Sequence, residues 1–319
     1  MNTPSFDIRQ SLISPKVHHE MPYPLLKLPY GLQRRLRSLA TPKETYNLQV
    51  AIGHHKSYLH PHQICFTKYS YYLYIINKGG NIILTDTSPW FNINKVLDWK
   101  NGSLRPVRYE LQMYYLQKSD YDSPIFDHLL ISCHKIALIK SVLNPTTFNK
   151  LVKQCKPERI TEFVAVYYIS PFLTVPMICD AFCNLQSLYL AASDHVTKNW
   201  LKEILNFRKL NLKKLRVGGR FDNLFGFEPQ ELSQLFQRED PGFYLTLNCW
   251  HPPTNAARRI RQKFGLHFEE FKSNGHGRFE EGFLIIKFGN KCAGEGYFAL
   301  PTPEVITRFF FQVVPLTVN

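Results

Sequence analysis

The chain has 319 residues, of which 44% are hydrophobic and 14% aromatic, so it can form one large core or two modest domains. Its 39 Lys and Arg outnumber 25 Asp and Glu, and the net charge of +14 favours acidic partners. Seven cysteines without short paired spacings predict reduced thiols in a cytoplasmic or nuclear protein, and the first residues lack the apolar segment of a secretory signal.

The N-terminal part divides into a polar leader and a helical segment. Residues 1–20 are polar, and we interpret them as a flexible leader. Residues 21–60 carry apolar clusters at helical spacing instead. Leu32, Leu36 and Leu39 stand at i, i+4 and i+7, which places them on one stripe of a helix.

A second helix is predicted to start at residues 41–44. Thr41 is a suitable cap, Pro42 suits the first helical position, and Glu44 stands three residues after Thr41, as in a capping box. Helices this short bury too little apolar surface on their own. We therefore expect them to pack on the rest of the chain or on another protein.

Residues 61–319 favour strands alternating with helices. Residues 71–76 and 81–85 are β-rich and flank Asn-Lys-Gly-Gly, which predicts a hairpin. Five further strand-like runs occupy residues 135–139, 162–166, 186–190, 214–217 and 243–247. The runs recur roughly every 24 to 30 residues, the period of a leucine-rich-repeat-like solenoid built from one strand and one helix per unit.

The predicted fold class is therefore α+β or α/β, a small helical segment followed by a strand–helix solenoid. Residues 185–190 and 212–217 both follow the pattern Leu-x-x-Leu-x-Leu of leucine-rich repeats. A doubly wound α/β sheet is the alternative, because strand and helix also alternate there.

Further helices and strands are predicted towards the C-terminus. Helices are expected at residues 196–207, capped by Asp194, at 229–238 after Glu228, and at 254–264, and strands at 282–288, 296–300 and 307–314. The uncharged stretch 163–179 is too short for a membrane span and contains two prolines, so we predict a strand, a loop and a helix start there, and no membrane partner.

Two parts of the chain carry a family resemblance. Residues 23–30, Tyr-Pro-Leu-Leu-Lys-Leu-Pro-Tyr, and residues 39–44 and 46–48, where Pro42 starts the second predicted helix, resemble the opening of an F-box. The resemblance is greatest to the nematode set that begins Phe-Pro-Leu-Leu-x-Leu-Pro. Residues 283–293, with the aromatic close at 309–314, resemble the F-box-associated domain, type 2, that follows such F-boxes. The chain departs from the F-box pattern at residues 53–56, where Gly-His-His-Lys replaces the usual Ser-Lys-Arg turn.

The resemblance implies a substrate-recognition subunit of an SCF-type cullin-RING ubiquitin ligase. Its F-box would dock on a Skp-family adaptor, and through it on a cullin, while residues 61–319 would bind a target protein. The implied adaptor-binding residues are Pro24, Leu25, Leu26, Leu28, Pro29, Leu32, Leu36, Leu39 and Pro42. For the target, the concave strand face of a solenoid indicates Tyr189, Arg216 and Tyr244.

No motif for catalysis or for a cofactor is present in the sequence. There is no Gly-x-Ser-x-Gly elbow, no His-Glu-x-x-His and no kinase signature set, so we expect no catalytic residues and no cofactor. The histidines at positions 54, 55, 60 and 62 and the cysteines at 179 and 183 lack a metal-ligand spacing, and we expect no metal. A basic nucleic-acid-binding module is the alternative function, although the dispersal of charge along the sequence argues against nucleic acid as a partner.

Overall fold

The structure is a computed structural model. It describes residues 25–52, 61–66, 70–87, 96–99, 102–192, 196–207, 210–240, 242–249, 252–264, 283–288 and 295–299. The chain divides into a smaller unit, residues 1–40 with 45–62, and a larger unit, residues 41–44 with 63–319. The described residues have a mixed α/β fold with one mostly parallel sheet.

Two short helices form the described N-terminal region. A single turn of 3₁₀ helix, Leu25–Lys27, precedes α1 (Tyr30–Leu39) and α2 (Pro42–Ala51). The predicted capping box is confirmed. The backbone N–H of Thr41 donates to Glu44 Oε2 at 2.8 Å, and the N–H of Glu44 donates to Thr41 Oγ1 at 3.3 Å.

The sheet of the larger unit contains eleven described strands. They are β1 (Ser70–Lys78), β2 (Asn81–Thr85), β3 (Arg105–Tyr114), β4 (Leu129–Ile131), β5 (Lys135–Ile139), β6 (Glu162–Val166), β7 (Ser187–Ala191), β8 (Lys214–Gly219), β9 (Tyr244–Cys249), β10 (Phe283–Phe288) and β11 (Glu295–Ala299). The spatial order is β2-β1-β3-β5-β6-β7-β8-β9-β10-β11, with the short β4 also paired to β3. Neighbours are parallel except β1 with β2 and β10 with β11.

Helices follow most of the parallel strands. They are α3 (Pro145–Gln154), α4 (Val175–Ala181), α5 (Trp200–Leu205), α6 (Phe221–Leu224), α7 (Pro229–Arg238) and α8 (Ala256–Phe264). Their apolar side chains join the inward-facing strand residues in one core, to which every one of these helices contributes. No helix of the described residues is long and apolar enough to cross a membrane.

Two rows of apolar side chains across the sheet form the strand part of the core. Because side chains alternate between the faces of a strand, the register places one inward residue of each strand beside the next. The first row is Leu73, Leu111, Ile136, Phe163, Leu188, Leu215 and Leu245, and the second is Ile75, Met113, Leu138, Ala165, Leu190, Val217 and Leu247. All fourteen are buried.

The predicted doubly wound alternative does not fit the described sheet. Such a sheet reverses its strand order at a switch point and carries helices on both faces. Here the spatial order follows chain order from β3 to β10 without a reversal, and the described helices share one core.

Most predicted elements are confirmed, with shifted ends. The hairpin forms as β1 and β2, the five strand-like runs form β5 to β9, and the stretch 163–179 contains strand, loop and helix start as predicted. The helix predicted at 196–207 is shorter in the structure, where it begins at Trp200 after Asn199 and ends at Leu205. The predicted cap Asp194 lies outside the described residues. The leader and the predicted strand at 307–314 also lie outside them.

Candidate recognition surfaces

The apolar stripe of α1 is exposed. None of the ten residues of this helix is buried. Leu39 is 75% exposed and Leu32 is 49% exposed, whereas Leu36 is half-buried. Arg34 and Arg35 lie on the exposed surface of the same helix. A short helix that leaves its large aliphatic side chains in water is typical of a surface that a partner covers.

The other predicted docking residues lie around the start of α1 and of α2. Among these, Leu25, Leu28 and Pro42 are half-buried and Pro29 is exposed. The carbonyl of Leu28 accepts a 2.8 Å hydrogen bond from Gln33 Nε2, which fixes the Leu28–Pro29 corner against the first turn of the helix. Pro24 lies outside the described residues, and so does the side chain of Leu26.

The first turn of α2 is anchored in the larger unit. Lys43 Nζ donates to the backbone oxygen of Gln154 at 2.7 Å and to its Oε1 at 2.9 Å, at the end of α3. Burial lowers the pKa of Lys43, and the Asp127 carboxylate partly opposes that change. The capping box and this lysine together fix the residues 41–44.

The face of the sheet opposite the helices, here called the open face, is rich in tyrosine. On β1 and β3 it carries Tyr72, Tyr74, Tyr109 and Tyr114, with the rings of Tyr72 and Tyr109 edge to face at 5.8 Å. Tyr74 and Tyr114 lie 6.4 Å apart and form a cluster of buried side chains with Ile76, so on this face the exposed rings of these two strands are those of Tyr72 and Tyr109. Tyrosine supplies a large and rigid contact area at low entropic cost.

The predicted target-binding residues come together at the other end of the open face. Tyr189 of β7 and Arg216 of β8 are register partners. Tyr244 of β9 pairs with Lys214, which lies two residues before Arg216 on β8. Arg216 is exposed, while the two tyrosines are half-buried. The hydroxyl of Tyr189 accepts a 3.3 Å hydrogen bond from Asn248 Nδ2, so the ring spans from β7 to β9.

A chain of polar groups runs along β3 on the open face. Tyr114 Oη donates to Gln112 Oε1 at 2.7 Å, and Gln112 Nε2 donates to Glu110 Oε1 at 2.7 Å. Lys135 Nζ of the next strand lies 3.1 Å from the same carboxylate oxygen. Since Glu110 is buried, this ion pair and its hydrogen bond compensate a charge that would be costly alone.

A ladder of strained residues, which the sequence did not predict, ends three successive strands. Tyr115, Lys140 and Tyr167 directly follow β3, β5 and β6, and have φ angles of 59°, 53° and 90°. Lys140 Nζ lies 5.6 Å from the centre of the Tyr115 ring and 5.5 Å from that of Tyr167, within cation–π range. Nothing in the sequence marks these positions, because residues with positive φ are normally Gly, Asn or Asp.

A shallow cleft of about 510 Å³ lies at the opposite edge, where β5 to β8 begin. It is lined by His134, Arg159, Cys183 and Lys213, among others. Cys179, one turn before Cys183, is buried instead.

No metal site emerges from the part of the chain that the structure describes. No group of three or more His, Cys, Asp or Glu side chains there is placed to hold an ion. Three of the clustered histidines, at positions 54, 55 and 60, lie outside that part.

Comparisons with known proteins add no relative. No family model, no curated protein and no solved structure matches this chain.

Proposed function

We propose that the chain is the substrate-recognition subunit of an SCF-type cullin-RING ubiquitin ligase, without catalytic chemistry of its own, in the cytoplasm or nucleus. The observation that carries the proposal is α1, which has leucines at i, i+4 and i+7 and no buried residue. Its exposed Leu32 and Leu39 are the kind of aliphatic anchors that an amphipathic helix inserts into a partner's groove. In the F-box segments that residues 23–44 resemble, that partner is a Skp-family adaptor, which in turn binds a cullin.

We infer that the larger unit is a leucine-rich-repeat-like solenoid. Three features support this: the strands lie side by side in chain order, their starts recur at Lys135, Glu162, Ser187, Lys214 and Tyr244, and the helices share one core. Repeat proteins of this kind bind partners on their strand face.

The target protein is expected on the open face, around Tyr189, Arg216 and Tyr244. Tyrosine and arginine are enriched at the energetic centres of protein interfaces, and here they stand on three adjacent strands. By holding a target on this face, the chain would raise its effective concentration at the ubiquitin-transferring partner enzymes.

Co-purification with a Skp-family adaptor tests the proposal. The chain is expressed together with the adaptor, as wild type and as the double variant Leu32→Asp/Leu39→Asp. We expect the double variant to lose the adaptor, because two carboxylates would then have to be buried in an apolar interface. Its circular dichroism and unfolding midpoint should match the wild type, since both leucines are exposed.

A matched control separates docking from general surface effects. Ile64 is 69% exposed and lies outside α1, so Ile64→Asp introduces the same kind of charge at another exposed aliphatic site. This variant should retain the adaptor. Adaptor binding that survives the double substitution in α1, or that is absent in the folded wild type, would refute the docking model.

A further inference from the structure

We propose that the edge of the sheet where the parallel strands end binds single-stranded nucleic acid. This edge, here called the aromatic–basic edge, consists of Tyr115, Lys118, Lys140, Tyr167, Tyr168, Phe172, Lys198 and Arg220. It shares no residue with α1 or with the set Tyr189, Arg216 and Tyr244, so the inference stands independently of the adaptor proposal.

The backbone holds the ring and cation positions in a regular row. The N–H of Tyr115 donates to the carbonyl of Ile139 at 3.1 Å, that of Lys140 to Val166 at 3.0 Å, and that of Tyr167 to Ala191 at 2.7 Å. These bonds continue the parallel ladder by one residue beyond each strand. Strands are about 4.8 Å apart, so the two tyrosines stand about 10 Å from each other with Lys140 between them.

The conformation of these residues indicates that their side chains are kept for binding. A positive φ strains residues with a side chain, and glycine or asparagine would occupy these positions at lower cost. Tyr115, Lys140 and Tyr167 are instead two rings and a cation, and both rings are nearly half exposed, at 44% and 47%. Strained residues of this kind concentrate at functional sites.

Cations lie in the described segments along the edge, and the carboxylates there have partners of their own. Residues 140–144, 167–174 and 196–199, after β5, β6 and β7, contain Lys140 and Lys198 and no carboxylate. After β8, Asp222 pairs with Arg259, and after β3, Asp122 pairs with Lys150. After β3, Lys118 is exposed. The nearby carboxylate Asp120 already accepts hydrogen bonds from Asn77 Nδ2 at 2.6 Å and from the Gln117 N–H at 2.7 Å.

Rings and cations together favour nucleic acid over an acidic protein. Tyr168 and Phe172, in the segment after β6, are 60% and 78% exposed. Carboxylates of an acidic peptide would pair with the lysines and leave these rings unused. A single strand of nucleic acid presents a base and a phosphate in every unit, and it uses aromatic stacking and cations together.

Fluorescence anisotropy with the purified full chain tests the inference. The probes are fluorescein-labelled oligo(U) and oligo(dT) of about 12 nucleotides, and the two distinguish RNA from DNA. The variants are Tyr167→Asn, Lys140→Asn and the conservative Tyr167→Phe. We expect Tyr167→Asn to weaken binding about tenfold and Tyr167→Phe to retain it, because stacking needs the ring and not the hydroxyl.

The salt dependence and the fold of each variant complete the test. Lys140→Asn should make the negative slope of log K against log salt shallower by about 0.7, the value for one lost phosphate contact on a single strand. Both Asn variants should unfold at the wild-type midpoint or above it, since asparagine accepts a positive φ. Two control variants remove a lysine and a tyrosine at other places: Lys153→Ala on α3, and Tyr71→Ala on β1. Tyr71 is 76% exposed. Both should bind as the wild type does.

Three results would overturn the inference. They are the absence of oligonucleotide binding at about 50 mM salt, equal affinity of wild type and Tyr167→Asn, and displacement by poly-glutamate as effective as displacement by unlabelled oligo(U). The last result would assign the edge to an acidic protein segment instead.

Discussion

Arg238 joins the helices of two neighbouring strand–helix units, and its replacement tests that connection. At the end of α7, its Nη1 donates to the carbonyls of Ile204, Leu205 and Phe207 at 3.0, 3.0 and 3.1 Å. Ile204 and Leu205 belong to the last turn of α5 and Phe207 follows the helix, and carbonyls at such a helix end lack intrahelical donors. The Ile204 carbonyl also accepts from the Phe207 N–H at 3.1 Å. The guanidinium thus satisfies them and places a positive charge at the negative end of the helix dipole.

The adjacent Glu239 makes the guanidinium harder to replace. Its side chain is 0% exposed, and its Oε1 accepts from Arg238 Nη2 at 3.1 Å and from Arg238 Nε at 3.2 Å. The same oxygen accepts from the backbone N–H of Leu210 at 3.3 Å. Removal of the arginine would leave a buried carboxylate without its cation, a change that typically costs about 3–5 kcal/mol.

Arg238→Met is therefore expected to lower the free energy of unfolding by about 3 kcal/mol, at the low end of that range because the arginine side chain is 24% exposed. Arg238→Lys should cost about 2 kcal/mol: it keeps the charge but cannot reach three carbonyls and a carboxylate at once. Urea unfolding followed by tryptophan fluorescence measures both changes, and Trp200 lies in the affected helix.

An exposed ion pair between α5 and α7 provides the control. Lys202 of α5 lies 3.6 Å from Glu231 of α7, and its side chain is 58% exposed. Lys202→Met should change stability by less than about 0.5 kcal/mol, because exposed ion pairs contribute little. Equal effects of Lys202→Met and Arg238→Met on the free energy of unfolding would show that the buried network of Arg238 and Glu239 does not stabilise the packing of α5 and α7.

Three further predictions concern the core of the larger unit. Gly218→Val should destabilise strongly or prevent folding, since a Cβ at this position would lie 2.8 Å from the Ala191 Cβ; a raised urea midpoint would contradict this. Phe163→Ala should cost about 3–5 kcal/mol in urea unfolding, because the ring is fully buried, whereas a loss below about 1 kcal/mol would contradict its position in the core. Burial raises the pKa of the Cys133 thiol to about 12, so mass spectrometry after iodoacetamide at about pH 8 should find the exposed Cys183 alkylated and Cys133 unmodified until urea unfolds the chain.

The Cys133 pKa also sets a direction for stability against pH. The neutral thiol is favoured in the folded protein, while the unfolded thiol ionises near its ordinary value of 9.0. The contribution of Cys133 is therefore complete below pH 9 and is lost as the pH rises towards 12. Cys133→Ala should remove this part of the alkaline decline, which equilibrium unfolding at several pH values would measure.

The sequence predicted the repeating strands well because their apolar pattern is local. Each of the runs that became β5 to β9 brings two inward residues at alternate positions, which a reader of the sequence detects directly. Strand β3 was not predicted from the sequence, although it pairs with β1, β4 and β5. Pro106 near its start and the polar side chains on its open face obscure the alternation.

The candidate surfaces were predictable only where they are continuous in sequence. The leucines of α1 lie within one helix, so their spacing predicted a shared stripe. Tyr189, Arg216 and Tyr244 were predicted to share a strand face from the spacing of the strand-like runs. Tyr115, Lys140 and Tyr167 are 25 and 27 residues apart, and only the register of β3, β5 and β6 brings them together. Their positive φ angles follow from the geometry of the strand ends, and tyrosine and lysine are not residue types that indicate a positive φ.

The grouping of charged side chains also depends on the fold. Along the sequence, the excess of 14 positive charges is dispersed, which argued against a nucleic-acid partner. The parallel sheet changes that conclusion, because the segments that follow its parallel strands all start at one edge of the sheet. Lys140 directly follows β5, Lys198 lies between β7 and α5, and Arg220 directly follows β8, so all three belong to segments that leave that edge. Clustering of charge in such a sheet is therefore visible in the register of the strands and not along the sequence. A weaker salt dependence of oligonucleotide binding in Lys140→Asn, but not in Lys153→Ala, is the measurement that decides whether this clustering has a function.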